Sequence, residues 1–186
     1  MHDVILTLLG TDRPGLVEQV ADTVARLGGN WLESRMARLG GKFAGILRVQ
    51  VPAGQVAALV AAAEQLSRED LRILVEAGAS AAPAAPDRVV ELECVGLDRP
   101  GIVRDITRVL AAMGANVEEI GTDASSAPMS GEVLFRARIR AAVPQDADLA
   151  RLRQGLERVA TDLMVEMRTV EAVIGTTRGA PAQGHR

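Results

Sequence analysis

Tyrosine is absent from this 186-residue chain, phenylalanine occurs twice (Phe43 and Phe135) and tryptophan once (Trp31). So few aromatics exclude the base-stacking platforms that single-stranded nucleic acids require. They also leave the core to be built from Val, Leu, Ile, Ala and Met. The one cysteine, Cys94, permits neither an internal disulfide nor a cysteine zinc site. The two histidines, His2 and His185, stand at opposite ends of the sequence, which disfavours a histidine triad or a His-rich metal cluster. No metal and no cofactor is expected. A basic excess is missing too: the net charge of -3 and pI of about 5.5 argue against a general phosphate-binding surface. No apolar run reaches the roughly 18 residues of a membrane span, and the start MHDVILTLLG lacks the basic head of a secretory signal. The expectation is a soluble, cytoplasmic protein without membrane association.

What is present is 48% hydrophobic and 24% charged, values of a folded globular chain and not of a disordered one. The length allows one domain or two small ones, and an internal repeat decides between them. Gly10 to Asn30 (GTDRPGLVEQVADTVARLGGN) recurs as Gly96 to Asn116 (GLDRPGIVRDITRVLAAMGAN) at a constant offset of 86 residues. The tetrad Asp12-Arg13-Pro14-Gly15 returns whole as Asp98-Arg99-Pro100-Gly101. Val17, Val20, Val24 and Leu27 map onto Val103, Ile106, Leu110 and Met113, the spacing of one helix face. Between the copies an Ala/Pro run from Gly78 to Pro86 reads as a linker. The expected organisation is domain 1 at 1–77, a linker at 78–87, domain 2 at 88–174 and a flexible tail at 175–186.

Each copy reads as strand, helix, strand, strand, helix, strand. In copy two, Val90, Leu92 and Cys94 alternate with Glu91 and Glu93 in a half-buried strand. The DRPG turn then opens a helix, with Asp98 as a cap and Pro100 in the first turn. Gly114 closes that helix and Asn116 begins the second strand. A third strand runs from Val133 to Val143, a second helix carries Leu149, Leu152, Leu156, Val159 and Leu163 on one stripe, and a last strand spans Val165 to Val173. Copy one repeats the order, with its first helix from about Pro14 to Leu27 and strands near Asn30–Arg38, Lys42–Val51 and Leu71–Glu76. Copy two has extra turn formers between its middle strands, Ser125 to Gly131, which predict a longer hairpin loop. The fold class is α+β: two ferredoxin-like βαββαβ domains, each an antiparallel sheet with two helices on one face. The other face stays open. In copy two it would set Glu91 and Glu93 against Arg136, Arg138 and Arg140; in copy one it carries Ile5, Thr7, Ala44, Ile46 and Arg48. That more apolar face is expected to pack on another surface.

The repeated turn is also the candidate site. A helix N-terminus presents unpaired N–H groups and the positive end of a dipole, which can receive a carboxylate. Gly15 and Gly101 allow close approach, Asn30 and Asn116 offer donors and acceptors, and Arg13 and Arg99 can pair with a ligand carboxylate or a partner acid. The same turn is equally readable as plain helix-start structure. Trp31 reads as packing or an interface anchor and Cys94 as a small core residue.

A strand ending in G-x-D-R-P-G, a helix closed by Gly and an Asn two residues beyond resemble the ACT domain, a regulatory module that commonly binds amino acids. Two such modules without a catalytic domain resemble the glycine cleavage system transcriptional repressor family. Similar modules also precede the catalytic domain in formyltetrahydrofolate deformylase and some serine-pathway phosphatases. The resemblance implies ligand contacts at Asp12, Arg13, Gly15, Leu16 and Asn30 and at Asp98, Arg99, Gly101, Ile102 and Asn116. It places ligands between the turn of one module and the second-strand start of its neighbour. It implies a non-catalytic regulator that senses glycine or another amino acid and represses transcription through a protein partner such as an activator. Direct DNA binding is not expected, since every helix is claimed by a βαββαβ core. A homodimer is an open alternative to a monomer, and a regulatory subunit of an enzyme in amino-acid or one-carbon metabolism is the alternative function. No nucleophile, phosphate-loop or paired acid–base motif points to an enzyme.

Overall fold

The computed structural model describes residues 1–67, 70–78, 88–126, 131–159 and 163–170. The expected linker after Gly78 and the whole expected tail lie outside the described residues. The chain divides into two compact units, Met1–Ala82 and Pro83–Arg186.

In the first unit the elements are β1 (His2–Thr11), α1 (Leu16–Arg26), β2 (Asn30–Leu39), β3 (Lys42–Val51), α2 (Val56–Leu66) and β4 (Leu71–Ala77), with a short 3-10 turn at Ala53–Gln55. The second unit repeats them as β5 (Arg88–Leu97), α3 (Ile102–Ala112), β6 (Asn116–Ser126), β7 (Val133–Val143), α4 (Leu149–Glu157) and β8 (Met164–Val170). Both sheets are antiparallel, in the orders β2-β3-β1-β4 and β6-β7-β5-β8. The expected βαββαβ plan is therefore what each unit adopts.

Strand alternation explains the layering. Val4, Leu6 and Leu8 on β1 and Leu47, Val49 and Val51 on β3 are all buried, at 2% exposure or less, and form one core with Val20 and Val24 of α1 and Leu59 of α2. In the second unit Val90, Leu92, Cys94, Ala137, Ile139 and Ala141 meet Ile106, Leu110, Leu152 and Leu156. Each such Val, Leu or Ile stabilises its unit by ~1.5–3 kcal/mol relative to exposure. Trp31 packs, partly buried, on the first core.

Several local expectations are corrected. The first helices start two residues later than their proline, at Leu16 and Ile102, and their N-caps are Gly15 and Gly101 without any side-chain cap. Asp98 is thus no cap, and Pro100 precedes the helix. Val17 and Val103 stand exposed, while Leu16 and Ile102 are buried, because the buried stripe runs at four-residue steps through Leu16, Val20 and Val24 and through Ile102, Ile106 and Leu110. The helix α4 stops at Glu157, so Val159 and Leu163 reach the core from outside it. Ser125 and Ser126 extend the β6–β7 ladder opposite Leu134 and Val133, so the insertion lengthens strands as well as the connection. Residues 171–173 of the expected last strand lie outside the described residues.

The open face of the second unit is the ion-pair surface that alternation implies. Arg140 bonds Glu118 at 3.0 Å and Glu91 at 3.3 Å, and Glu93 meets both Arg136 and Arg138 at 3.5 Å. Glu91, Glu93, Arg138 and Arg140 line an open hollow of about 360 Å³.

Candidate ligand site at the DRPG turns

The turn begins where β1 ends. Thr11 N–H donates to the Asp70 carbonyl at 2.7 Å and Asp12 N–H to the Gly41 carbonyl at 3.0 Å, so the chain leaves the sheet between the ends of β4 and β3. It then reverses through a residue in the left-handed region: Gly15 has φ 84° and Gly101 φ 86°. A side chain there is strained whatever space surrounds it. That strain is reason enough for glycine at this position, where a Cβ on Gly15 would meet nothing nearer than Glu18 Oε2 at 3.7 Å.

The two arginines are structural staples. Arg13 donates to Asp70 at 3.3 Å and Gln19 at 3.2 Å. Arg99 donates to Asp105 at 3.0 Å and to the Val159 carbonyl at 2.8 Å. In each unit the guanidinium ties the turn to its own helix and to the chain around the second helix's end. Each arginine thus pairs with an acid of its own unit, Asp70 or Asp105. Asp12 is braced by Arg38 of β2 at 2.8 Å, whereas the exposed Asp98 carboxylate has no partner among the described residues. Leu16 and Ile102 are 4% and 3% exposed, so neither offers a ligand its side chain, and the Ile102 N–H already donates to the Arg99 carbonyl at 3.3 Å.

Because neither helix has a side-chain cap, its first N–H groups face outward unclaimed by side chains. In the first unit they adjoin a hollow of about 250 Å³ lined by Asp12, Arg13, Gly15, Leu16, Val17, Glu18 and Phe43, a size for a small metabolite. The two turns differ in charge. Glu18 stands in the first turn of α1, while α3 carries Arg104 and Asp105 there. Asp105 accepts from Arg99 and Arg104, and those bonds hold its carboxyl below the usual range.

Asn30 and Asn116 lie elsewhere. Asn30 is level with Gln50, which is level with Asp3, and the turn follows Thr11. Eight strand residues separate the two levels, about 26 Å. Each carboxamide is exposed and makes no hydrogen bond among the described residues. A single unit therefore does not offer turn and asparagine to one small ligand. In both sheets the register shifts at the second residue after the asparagine, between Trp31 and Glu33 and between Val117 and Glu119, which the sequence did not signal. Such a bulge re-aims the neighbouring side chains, and no residue type announces it. Among the described residues no group of His, Cys, Asp or Glu could hold a metal ion, and no helix is long and apolar enough to cross a membrane.

Comparison with known proteins agrees with this duplicated architecture. Residues 2–77 and 87–176 each match the ACT domain family. The chain is 26% identical over 166 residues to the glycine cleavage system transcriptional repressor of Escherichia coli (strain K12), covering 87% of this chain and 86% of that one. A crystal structure of an unknown protein from Galdieria sulphuraria is 31% identical, with a TM-score of 0.81, over 91% of this chain and 98% of the other. A second crystal structure, named provisionally as a glycine cleavage system transcriptional repressor, shares the fold at 19% identity and a TM-score of 0.65, over 91% and 98% of the two chains. The chain belongs to the ACT domain family and consists of two ACT domains in tandem.

Proposed function

We propose that this tandem ACT protein is a non-catalytic regulator that binds a small amino acid at its DRPG turns and represses transcription through a protein partner, in the manner its similarity to the glycine cleavage system repressor implies. The observation that carries the reading is the pair of uncapped helix N-termini, each set behind a left-handed glycine, in a chain made of two ACT domains. A carboxylate at such a terminus satisfies orphan N–H groups and the helix dipole together. The second turn is the less negative of the two, since Arg104, paired with Asp105 at 3.0 Å, stands where the first turn has Glu18. Asn30 and Asn116 supply a carboxamide to the ligand's ammonium or carboxylate. A small ligand does not touch both within one unit, where turn and asparagine stand about 26 Å apart. Control of the partner follows when the ligand binds two states of the protein unequally.

Calorimetry with glycine and a panel of other amino acids tests this. Saturable binding of one of them is expected, lost in Asn30→Ala and Asn116→Ala variants that melt like the parent, because both side chains are exposed and unbonded. No binding by any amino acid, with those variants still repressing normally, removes the sensor reading.

A further inference from the structure

We propose that the helix-free face of the first module's sheet is the contact surface of a homodimer, two copies stacking this face on itself about a two-fold axis. The axis crosses the strands at the level of Ile46, Thr7 and Leu74.

Register places the residues of this face in rows. Across β2, β3, β1 and β4 they are Glu33, Arg48, Ile5 and Glu76, then Arg35, Ile46, Thr7 and Leu74, then Ala37, Ala44, Leu9 and Arg72. Ile46, Leu74 and Leu9 are 55%, 58% and 52% exposed, on one face and in adjacent positions. Single exposed apolar side chains are ordinary, but a contiguous patch marks a contact. The second module is an internal control. With the same fold and pairing it has Glu91 for Ile5, Glu93 for Thr7, Arg138 for Ile46 and Glu166 for Leu74. In the third row it has Val95 for Leu9, Arg136 for Ala44 and Met164 for Arg72. The fold thus accepts charges at the positions of Ile5, Thr7, Ile46 and Leu74, so the apolar side chains there are a property of this sequence and not a requirement of the sheet.

The charges at the edge point to a second copy as the occupant. Arg72 and Glu76 flank Leu74 on β4, two residues to either side, and neither has an ion-pair partner among the described residues. A two-fold through the middle row exchanges the outer rows. It sets Arg72 over Glu76 of the second copy, twice by symmetry, and Ile5 over Leu9, while Ile46, Thr7 and Leu74 meet their own counterparts. Arg35 also approaches its counterpart, but it stands at the sheet edge, 73% exposed and already 3.7 Å from Glu33. Aligned sheets cross at about 30°, which leaves such a corner free to turn into solvent. Four strands and three rows cover about 19 Å by about 20 Å. That footprint is about half the ~800 Å² per partner of a standard stable interface, so the dimer is concentration-dependent and not permanent.

Sedimentation equilibrium of the full chain from ~10 μM to ~1 mM reads the association directly. A monomer–dimer equilibrium is expected, weakened about tenfold or more by Ile46→Glu with unchanged circular dichroism. Leu74→Lys gives the same readout at a second exposed position. Arg72→Glu and Glu76→Arg each weaken the dimer alone, and the double exchange restores it to within about threefold, since the pairing runs between copies. Three results overturn the proposal: a monomer throughout that range, a dimer indifferent to Ile46→Glu and Leu74→Lys, or a double exchange no stronger than the single variants.

Discussion

Replacing Gly15 by alanine isolates the reason for glycine in the DRPG turn. Its φ of 84° is left-handed, a region that costs a residue with a Cβ about 1–2 kcal/mol. No steric cost is added, because the nearest atom to the new methyl is Glu18 Oε2, at 3.7 Å. The whole loss is therefore backbone strain. Trp31 is the chain's one tryptophan, there is no tyrosine, and Trp31 packs on the first module's core, so its emission follows unfolding of that module. With a urea m-value of roughly 1 kcal/mol/M for so small a unit, the midpoint should fall by about 1–2 M. Gly15→Asn should recover part of the loss, because asparagine tolerates the left-handed region better than alanine. A midpoint shift under about 0.3 M for Gly15→Ala would refute the strain argument and return the position to close ligand approach as its cause.

Other expectations rest on the second module. Arg99→Ala removes the bonds to the Val159 carbonyl and Asp105; with the side chain 37% exposed the loss is about 1–2 kcal/mol, read as a melting point lowered by roughly 5–10 °C. A drop of less than about 2 °C would show that the staple is idle. Asp105 has its folded pKa lowered by hydrogen bonds from Arg99 and Arg104. Its contribution is present above the unfolded value of about 3.9 and is lost as pH falls through the folded value, so Asp105→Asn should flatten the acid limb of the stability curve below about pH 4. An identical acid limb in the variant would contradict that role. The Cys94 thiol, raised to about 11 first by burial and then by Glu93, should resist a thiol reagent at pH 8 until urea unfolds the module. Its raised value also predicts stability that declines above about pH 9, where the unfolded chain ionises first; fast modification of the native protein would disprove the burial.

The element order was legible because burial on one face writes a period into the sequence. Alternation at Val4, Leu6 and Leu8, or at Val90, Leu92 and Cys94, and the helical spacing of Val20 and Val24 are local signals, as is glycine after a helix: Gly28 and Gly114 do adopt positive φ. Helix starts were less legible. Proline announces a permitted first turn, yet the left-handed glycine after it postpones the helix to Leu16 and Ile102. There Leu16 and Ile102, two expected ligand contacts, are buried side chains.

By itself, then, the sequence determined the duplication, the α+β plan and the contrast between one charged and one apolar open face, all of which depend on residue type at a fixed local period. Tertiary structure alone decided which groups meet. Arg13 finds Asp70 and Arg99 finds the Val159 carbonyl across 57 and 60 residues, distances over which sequence carries no period. The helix crossover likewise returns the chain to the starting end of β1, so β2 begins level with Asp3 and Asn30 lies a full strand away from the turn it follows in sequence.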